Sequence, residues 1–227
     1  MEEVPRDAAE SDVAPRDDGG FAGSGRSAGK RRAIMEAART VFLRTGYDGA
    51  SMDEVAALAA VSKQTVYKHF ADKRRLFTAI ITGDISATET LTHDMVAALR
   101  DSEDIEKDLR QFARRHITEV TQQHLIQLRR IIIAEAERFP ELARTWYASG
   151  PERAHATLAE QFHALARRGL LRMDDPLLAA QHFNWLILSI PLNSALFHGS
   201  HTEFTPRELQ RYADEGVRVF LAAYRTP

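Results

Sequence analysis

Between Ser62 and Phe70 the chain carries six side chains that can each donate a hydrogen bond: Lys63, Gln64, Thr65, Tyr67, Lys68 and His69. None of the six is acidic, and three are basic or become so on protonation. Val66 and Phe70, four residues apart, take the opposite side of a short helix that Ser62 caps. A helix offering donors and positive charge suits the major groove of DNA, where phosphates and base edges mostly present acceptors.

The neighbouring residues have to hold that helix in place. Ser51 with Glu54 three positions later reads as a capping box, and Val55, Leu58 and Ala59 form the apolar face of the helix it opens. Ala60 and Val61 make the turn. Upstream, Ile34, Ala37, Ala38, Val41 and Phe42 mark a helix over 30–45, closed by Gly46. Downstream, Asp72 caps a fourth helix whose Leu76, Phe77, Ile80 and Ile81 complete a small core. That helix is expected to run past Gly83 towards Leu91 and Leu99 and to connect the reader mechanically to the rest of the chain.

Tyr47 and Ser51, the run Ala56 to Ala59, Val61-Ser62, and Thr65-x-Tyr67-x-His69-Phe70-x-x-Lys73 together resemble the helix-turn-helix of the TetR family of transcriptional regulators. The resemblance covers roughly residues 30 to 80. Ala60 stands where the family usually has Gly, and a left-handed Ala there costs about 1 kcal/mol. By this resemblance Lys63, Gln64 and Lys68 read bases. Thr65, Tyr67, His69 and Lys73 grip phosphates, and Ser51 adds a backbone contact. Core packing is the alternative for Tyr67.

The formal net charge of −2 hides an asymmetry. Residues 1–25 hold seven acids and two bases, whereas residues 30–75 hold ten bases and five acids. The basic region coincides with the candidate reader, as phosphate binding requires. Residues 1–28 are polar, Gly- and Ala-rich, and are expected to form a disordered arm. Lys30, Arg31 and Arg32 at its end either reach a phosphate backbone or form a solvated helix start. No apolar segment follows a basic start, so no secretory signal is expected. The chain has no cysteine, which excludes disulfides, thiolate metal sites and a cysteine nucleophile and fits a cytoplasmic protein.

The remaining chain reads as helices. Ile105, Leu109, Phe112, His116, Ile117 and Val120 form one stripe, and Leu125, Leu128, Ile131, Ile132 and Ala136 another. Pro140 opens a short helix ending before Gly150, and Pro151 opens the next, ending at Gly169. Asp175-Pro176 and Thr205-Pro206-Arg207-Glu208 open the last two. The 177–197 segment is apolar on most sides, but polar residues interrupt it and it reads as buried rather than membrane-spanning. Pro191 is expected to kink that helix or end it early. The fold class is therefore all-α, about nine helices: an arm over 1–28, a helix-turn-helix domain over 29–75, and a helical domain over 76–227 that the resemblance implies serves ligand binding and dimerisation.

No HExxH, GxSxG, P-loop or GxGxxG occurs, and His198 and His201 read as a solvated pair rather than metal ligands. No enzyme activity, metal or cofactor is expected. In the resembling family the last two long helices pair with those of a second copy. Helices 176–197 and 206–224 are then the interface, with Phe183, Leu186, Leu188, Leu209, Tyr212 and Phe220 as candidates for it or for the chain's own core. The family's small-molecule cavity lies among the helices after the fourth. Phe112, His116, Trp146, Phe162, Asn184 and Trp185 are the candidate lining, with plain core packing as their alternative. The expectation is a homodimeric repressor that binds a palindromic operator and is released by a small molecule. A helical enzyme with a His–Glu site and a constitutive architectural DNA binder are the rivals.

Overall fold

The computed structural model describes residues 20–83, 96, 98–198 and 204–227. Among the described residues no β-strand occurs. One isolated antiparallel bridge joins Leu171 to Arg225. The structure is all-α.

Helix α1 spans Gly20–Gly49, so it begins inside the stretch expected to be an arm; residues 1–19 lie outside the described residues. Its helical dihedrals break at Gly46, whose φ of 71° is the left-handed region glycine takes without strain. Helix α2 is Met52–Leu58 and α3 is Lys63–His69. Ser51 caps α2 by accepting from the Glu54 N–H at 3.1 Å, but the Glu54 carboxylate pairs with Arg44 of α1 rather than reaching back. Only half of the expected capping box forms. Leu58 is 53% exposed and does not belong to the apolar face, which is Met52, Val55 and Ala56. Between the helices Val61 N–H donates to Ala56 O at 3.1 Å and Ala60 N–H to Ala57 O at 3.2 Å. This paired closure needs a left-handed residue at Ala60, whose φ is 52°.

Helix α4 is described over 73–83, capped by Asp72, which accepts from the Arg75 N–H at 2.7 Å. Its expected continuation towards Leu91 lies outside the described residues. Helices α5 (Ile105–Val120), α6 (Gln123–Ala134), α7 (Pro140–Tyr147), α8 (Arg153–Arg167), α9 (Pro176–Phe197) and α10 (Pro206–Tyr224) follow. Two prolines behave differently from expectation. Pro151 does not start a new helix: it lies in a π-helical turn, Ala148–Glu152, that carries α7 into α8. The wider turn accommodates a residue that has no N–H to give. Pro191 lies inside α9, which continues to Phe197; burial of Pro191, Leu192 and Ala195 against the core holds the helix through it.

Two cores result. The first joins Ile34, Val41 and Phe42 of α1, Val55 of α2, Val66 of α3 and Leu76, Phe77, Ile80 and Ile81 of α4. Leu128 and Ile132 of α6 and Phe139 just before α7 belong to this same core. The second gathers Leu109, Phe112, Phe162, Phe183, Ile187, Val217 and Phe220 from α5, α8, α9 and α10. Ile126 of α6 belongs to it, so one helix contributes to both cores. Helices α9 and α10 approach so closely at Gly216 that an added Cβ would lie 2.9 Å from Ile187 Cγ1.

Candidate functional site

Helix α3 is anchored by Val66, fully buried, and by Phe70 just after it. The Ser62 hydroxyl accepts from the Thr65 N–H at 3.2 Å and lies 2.8 Å from Thr65 Oγ1. With that side held, Lys63, Gln64, Tyr67 and Lys68 are exposed, and Thr65 and His69 are half-buried at the edges of the same face. Tyr67 is 43% exposed, so the phenol is not a core residue. Lys63 rests 2.7 Å from Asp53 of α2, and that hydrogen bond raises its ammonium above the ordinary lysine range. Lys68 has no ion pair among the described residues. Ser51 is exposed and already accepts one backbone bond, which leaves its hydroxyl proton to donate outward.

Lys73 is placed otherwise than expected. Its Nζ donates to the carbonyls of Tyr47 (2.8 Å), Asp48 (3.2 Å) and Ala50 (3.0 Å) and lies 4.7 Å from the centre of the Tyr47 ring. An ammonium has three protons, and all three are used on the chain that leaves α1. Lys73 clamps the entry to the helix-turn-helix in the DNA-free chain.

The turn after α6 closes on the same place. Arg138 pairs with Asp48 at 2.5 Å and lies over both the Tyr47 and Phe139 rings, at 5.1 and 5.3 Å. Phe139 meets Tyr47 edge-on at 4.8 Å, and Arg74 covers the Phe139 ring at 5.3 Å. Arg138 belongs to none of the sequence motifs; its one signal in the sequence is a basic residue beside Phe139.

The six candidate lining residues do not gather in one cavity. Phe112, His116 and Asn184 are together and buried: Asn184 Oδ1 is 3.0 Å from His116 Nε2, and Phe112 stacks on the imidazole at 5.4 Å. Burial lowers the His116 imidazole below its ordinary value, the Asn184 hydrogen bond opposes that shift, and the nearby charges of His155 and Arg129 add to it. Phe162 is inside a ring cluster, 5.5 Å from Phe183 and 5.0 Å from Phe220, and is core. Trp146 lies under the Arg129 guanidinium at 5.1 Å and packs against the first core. Trp185 points outward, its ring 6.4 Å from that of His155.

The interface candidates divide as well. Phe183, Leu188, Leu209 and Phe220 are buried within this chain and are unavailable to a partner. Leu186 is exposed and Tyr212 half-buried against Phe204. The exposed apolar residues of α9 are Leu177, Leu178, Trp185, Leu186, Ile190 and Phe197, the last two 61% and 83% exposed, with Val219 on α10. Leu178, Trp185, Leu186, Ile190 and Phe197 recur at helical spacing along one face. His198 caps the end of α9, its N–H donating to Ser194 O; His201 lies outside the described residues. No described helix is long and apolar enough to cross a membrane.

Residues 34–80 match the model of bacterial regulatory proteins of the tetR family, and residues 107–226 match that of the AefR-like transcriptional repressor C-terminal domain. A crystal structure of a TetR-family transcriptional regulator from Mesorhizobium loti is 44% identical. The match covers 88% of this chain and 99% of that one, with a TM-score of 0.84. AibR, solved in complex with isovaleryl coenzyme A and operator DNA, is 25% identical over 84% of this chain and 97% of its own, with a TM-score of 0.58. The HTH-type transcriptional activator FasR of Mycolicibacterium smegmatis is 36% identical over 81 residues, 36% of each chain. The chain thus spans about a third of the length of that curated relative, and 26% of a second, the DNA-binding transcriptional repressor TetR of Mycobacteroides abscessus.

Proposed function

The chain belongs to the TetR family of transcriptional regulators, and from that premise we propose that it is a cytoplasmic repressor that binds a palindromic operator as a homodimer and is released by a small molecule. The observation that carries this reading is the exposed, acid-free face of α3. Lys63, Gln64, Tyr67 and Lys68 stand free of the core that holds Val66 and Phe70. Lys63, Gln64 and Lys68 are assigned to base edges, and Ser51, Thr65, Tyr67 and His69 to the backbone. In the free protein Asp53 occupies Lys63, and a phosphate or guanine would have to replace it.

A single reader contacts too few base pairs for specificity, so two copies are required, one helical turn of DNA apart. The exposed face of α9, with Val219 of α10, supplies the apolar surface for the pairing. Release by a ligand requires that it prefer a state with the readers wrongly spaced. Helix α6 can transmit such a change, because Ile126 is in the second core while Leu128 and Ile132 are in the first. Fold and face alike carry a binding role, and no catalytic step is assigned.

The test is fluorescence anisotropy with a fragment of the DNA upstream of the protein's own gene. Gln64→Ala is expected to lose about 1–3 kcal/mol at particular base pairs while binding to random DNA is unchanged. Equal losses on operator and random DNA would defeat the base-reading assignment. The same affinity for every fragment with the intact protein would favour an architectural binder.

A further inference from the structure

Among the described residues, Asp53 is the one acid paired with a side chain of the reading face. Of the other acids nearby, Glu54 is taken by Arg44 of α1 and Asp48 by Arg138, and Asp72 caps α4. Asp53 Oδ1 lies 2.7 Å from the Nζ of Lys63, the first residue of α3. Met52, Val55 and Ala56 hold the opposite side of α2 in the core. The pair itself stands in solvent, Lys63 58% and Asp53 66% exposed. An exposed pair contributes little to folding, and a carboxylate beside the reader opposes the approach of phosphates. Stability and non-specific attraction therefore leave the acid without a use at this place.

A base pair gives it one. The Lys63 ammonium spends one proton on Asp53 and keeps two, and the carboxylate keeps lone pairs to accept with. In the major groove a G·C pair presents two acceptors, guanine N7 and O6, and then a donor, the N4 amino group of cytosine. O6 and N4 are hydrogen-bonded to each other and so lie about 2.9 Å apart. The 2.7 Å between Nζ and Oδ1 is close to that spacing. A phosphate, or a guanine alone, has to displace Asp53 from Lys63. A whole G·C edge can take the two together, with Lys63 donating to guanine and Asp53 accepting from cytosine, and neither charge is left unpaired. An A·T pair has its donor between two acceptors, so with Asp53 on that donor Lys63 keeps a single acceptor. We propose that Asp53 is a base-reading residue that acts with Lys63 as one donor–acceptor unit and selects a G·C pair in each half-site. This rests on the assignment of Lys63 to base edges, and it adds an acceptor to a face otherwise made of donors.

The test uses the full chain and the duplex that it selects from a randomised pool, with anisotropy as the readout. Each base pair of that duplex is changed in turn. One G·C position in each half-site should weaken the wild type about fivefold or more when exchanged for A·T. Lys63→Met and Asp53→Ala should each reduce that loss, at the same position and at no other. Both variants should melt within a few degrees of the wild type, because both side chains are exposed. Base analogues at that position separate the two residues. 7-Deazaguanine, which lacks N7, should weaken the wild type and Asp53→Ala but not Lys63→Met. N4-methylcytosine keeps its Watson–Crick bonds but gives up the proton that faces the groove. It should weaken the wild type and leave Asp53→Ala unaffected. Two results would overturn the inference. An equal effect of N4-methylcytosine on wild type and Asp53→Ala would make the acid a support for Lys63 alone. Tighter binding of Asp53→Ala to every duplex alike would make it a repelling charge. A wild type that selects no duplex from the pool would end the regulator reading as well, whereas normal selection with an unchanged base preference in Asp53→Ala would end this inference only.

Discussion

The Nζ of Lys73 lies 2.8 Å from the carbonyl oxygen of Tyr47 and 4.7 Å from the centre of that residue's own ring. One cation thus satisfies the chain end of α1 and covers the aromatic that α1 delivers into the junction between the cores. Lys73→Met should therefore cost about 1–3 kcal/mol of stability, from the lost hydrogen bonds and the cation–π contact. It should leave the salt dependence of operator binding unaltered. Lys68→Ala should do the opposite, sparing the melting temperature while lowering the slope of log K against log salt by about one. A reduced slope in Lys73→Met would return that lysine to the phosphates.

Ala60 is the one described non-glycine residue with positive φ, at 52°. Ala60→Gly should relieve about 1 kcal/mol of backbone strain and raise the melting temperature by a few degrees. Because the turn already closes with its two backbone bonds, operator affinity should not change. Calorimetry of the two proteins, with anisotropy on the same samples, decides it; a lower melting temperature would mean that the turn gains nothing from glycine.

The two faces of α9 should respond differently to substitution. Ile190→Glu places a charge on the exposed apolar face and should yield a folded monomer with weakened operator binding. Phe183→Ala removes a ring that packs on Phe162 and Phe220 and should cost about 3–5 kcal/mol. It should lower the melting temperature before the oligomeric state changes. Light scattering with thermal unfolding distinguishes the cases; a dimeric Ile190→Glu would remove this face from the interface.

Burial lowers both His116 and His155 below the ordinary imidazole value of about 6.5. The folded state therefore binds fewer protons than the unfolded chain in the window beneath 6.5. Stability is complete above that pH and declines as pH falls through the window, by up to about 1.4 kcal/mol per unit for each ring. The Asn184 hydrogen bond opposes the shift at His116 and Glu152 opposes it at His155, so both rings contribute to the decline. Urea unfolding between pH 5 and 8, with and without His116→Gln, measures this; an unchanged slope in the variant would exclude that ring.

What could be read along the chain was local. The Thr205 capping box formed with both bonds, and the Glu208 carboxylate accepts from Thr205 N at 2.8 Å. Ser51 and Glu54 have the same spacing, but Arg44 takes the carboxylate from another helix. The reader's exposed face was legible because Val66 and Phe70 leave only one side to solvent. In α9 both sides are apolar, and periodicity could not separate Phe183, buried, from Leu186, exposed. Lys73 belongs to a sequence pattern whose spacing shows neither its three carbonyl acceptors nor the direction of its ammonium. Arg138 acquires its role at the junction from Asp48 and Tyr47, which are distant in sequence.

Leu128, Ile132 and Phe139 fill the reader's core from the other side of a boundary that the family models place between 80 and 107. The DNA-recognising part is consequently not a transplantable module. A truncation after residue 83 would uncover Tyr47 and Phe77, and a chimera fusing residues 20–83 to a relative's sensor would have a mismatched seam. The graft should fold with one cooperative transition only if the 128–139 segment travels with it. Divergence at the seam would then be constrained pairwise: a change at Tyr47 is tolerated when Phe139 and Arg138 change to suit it.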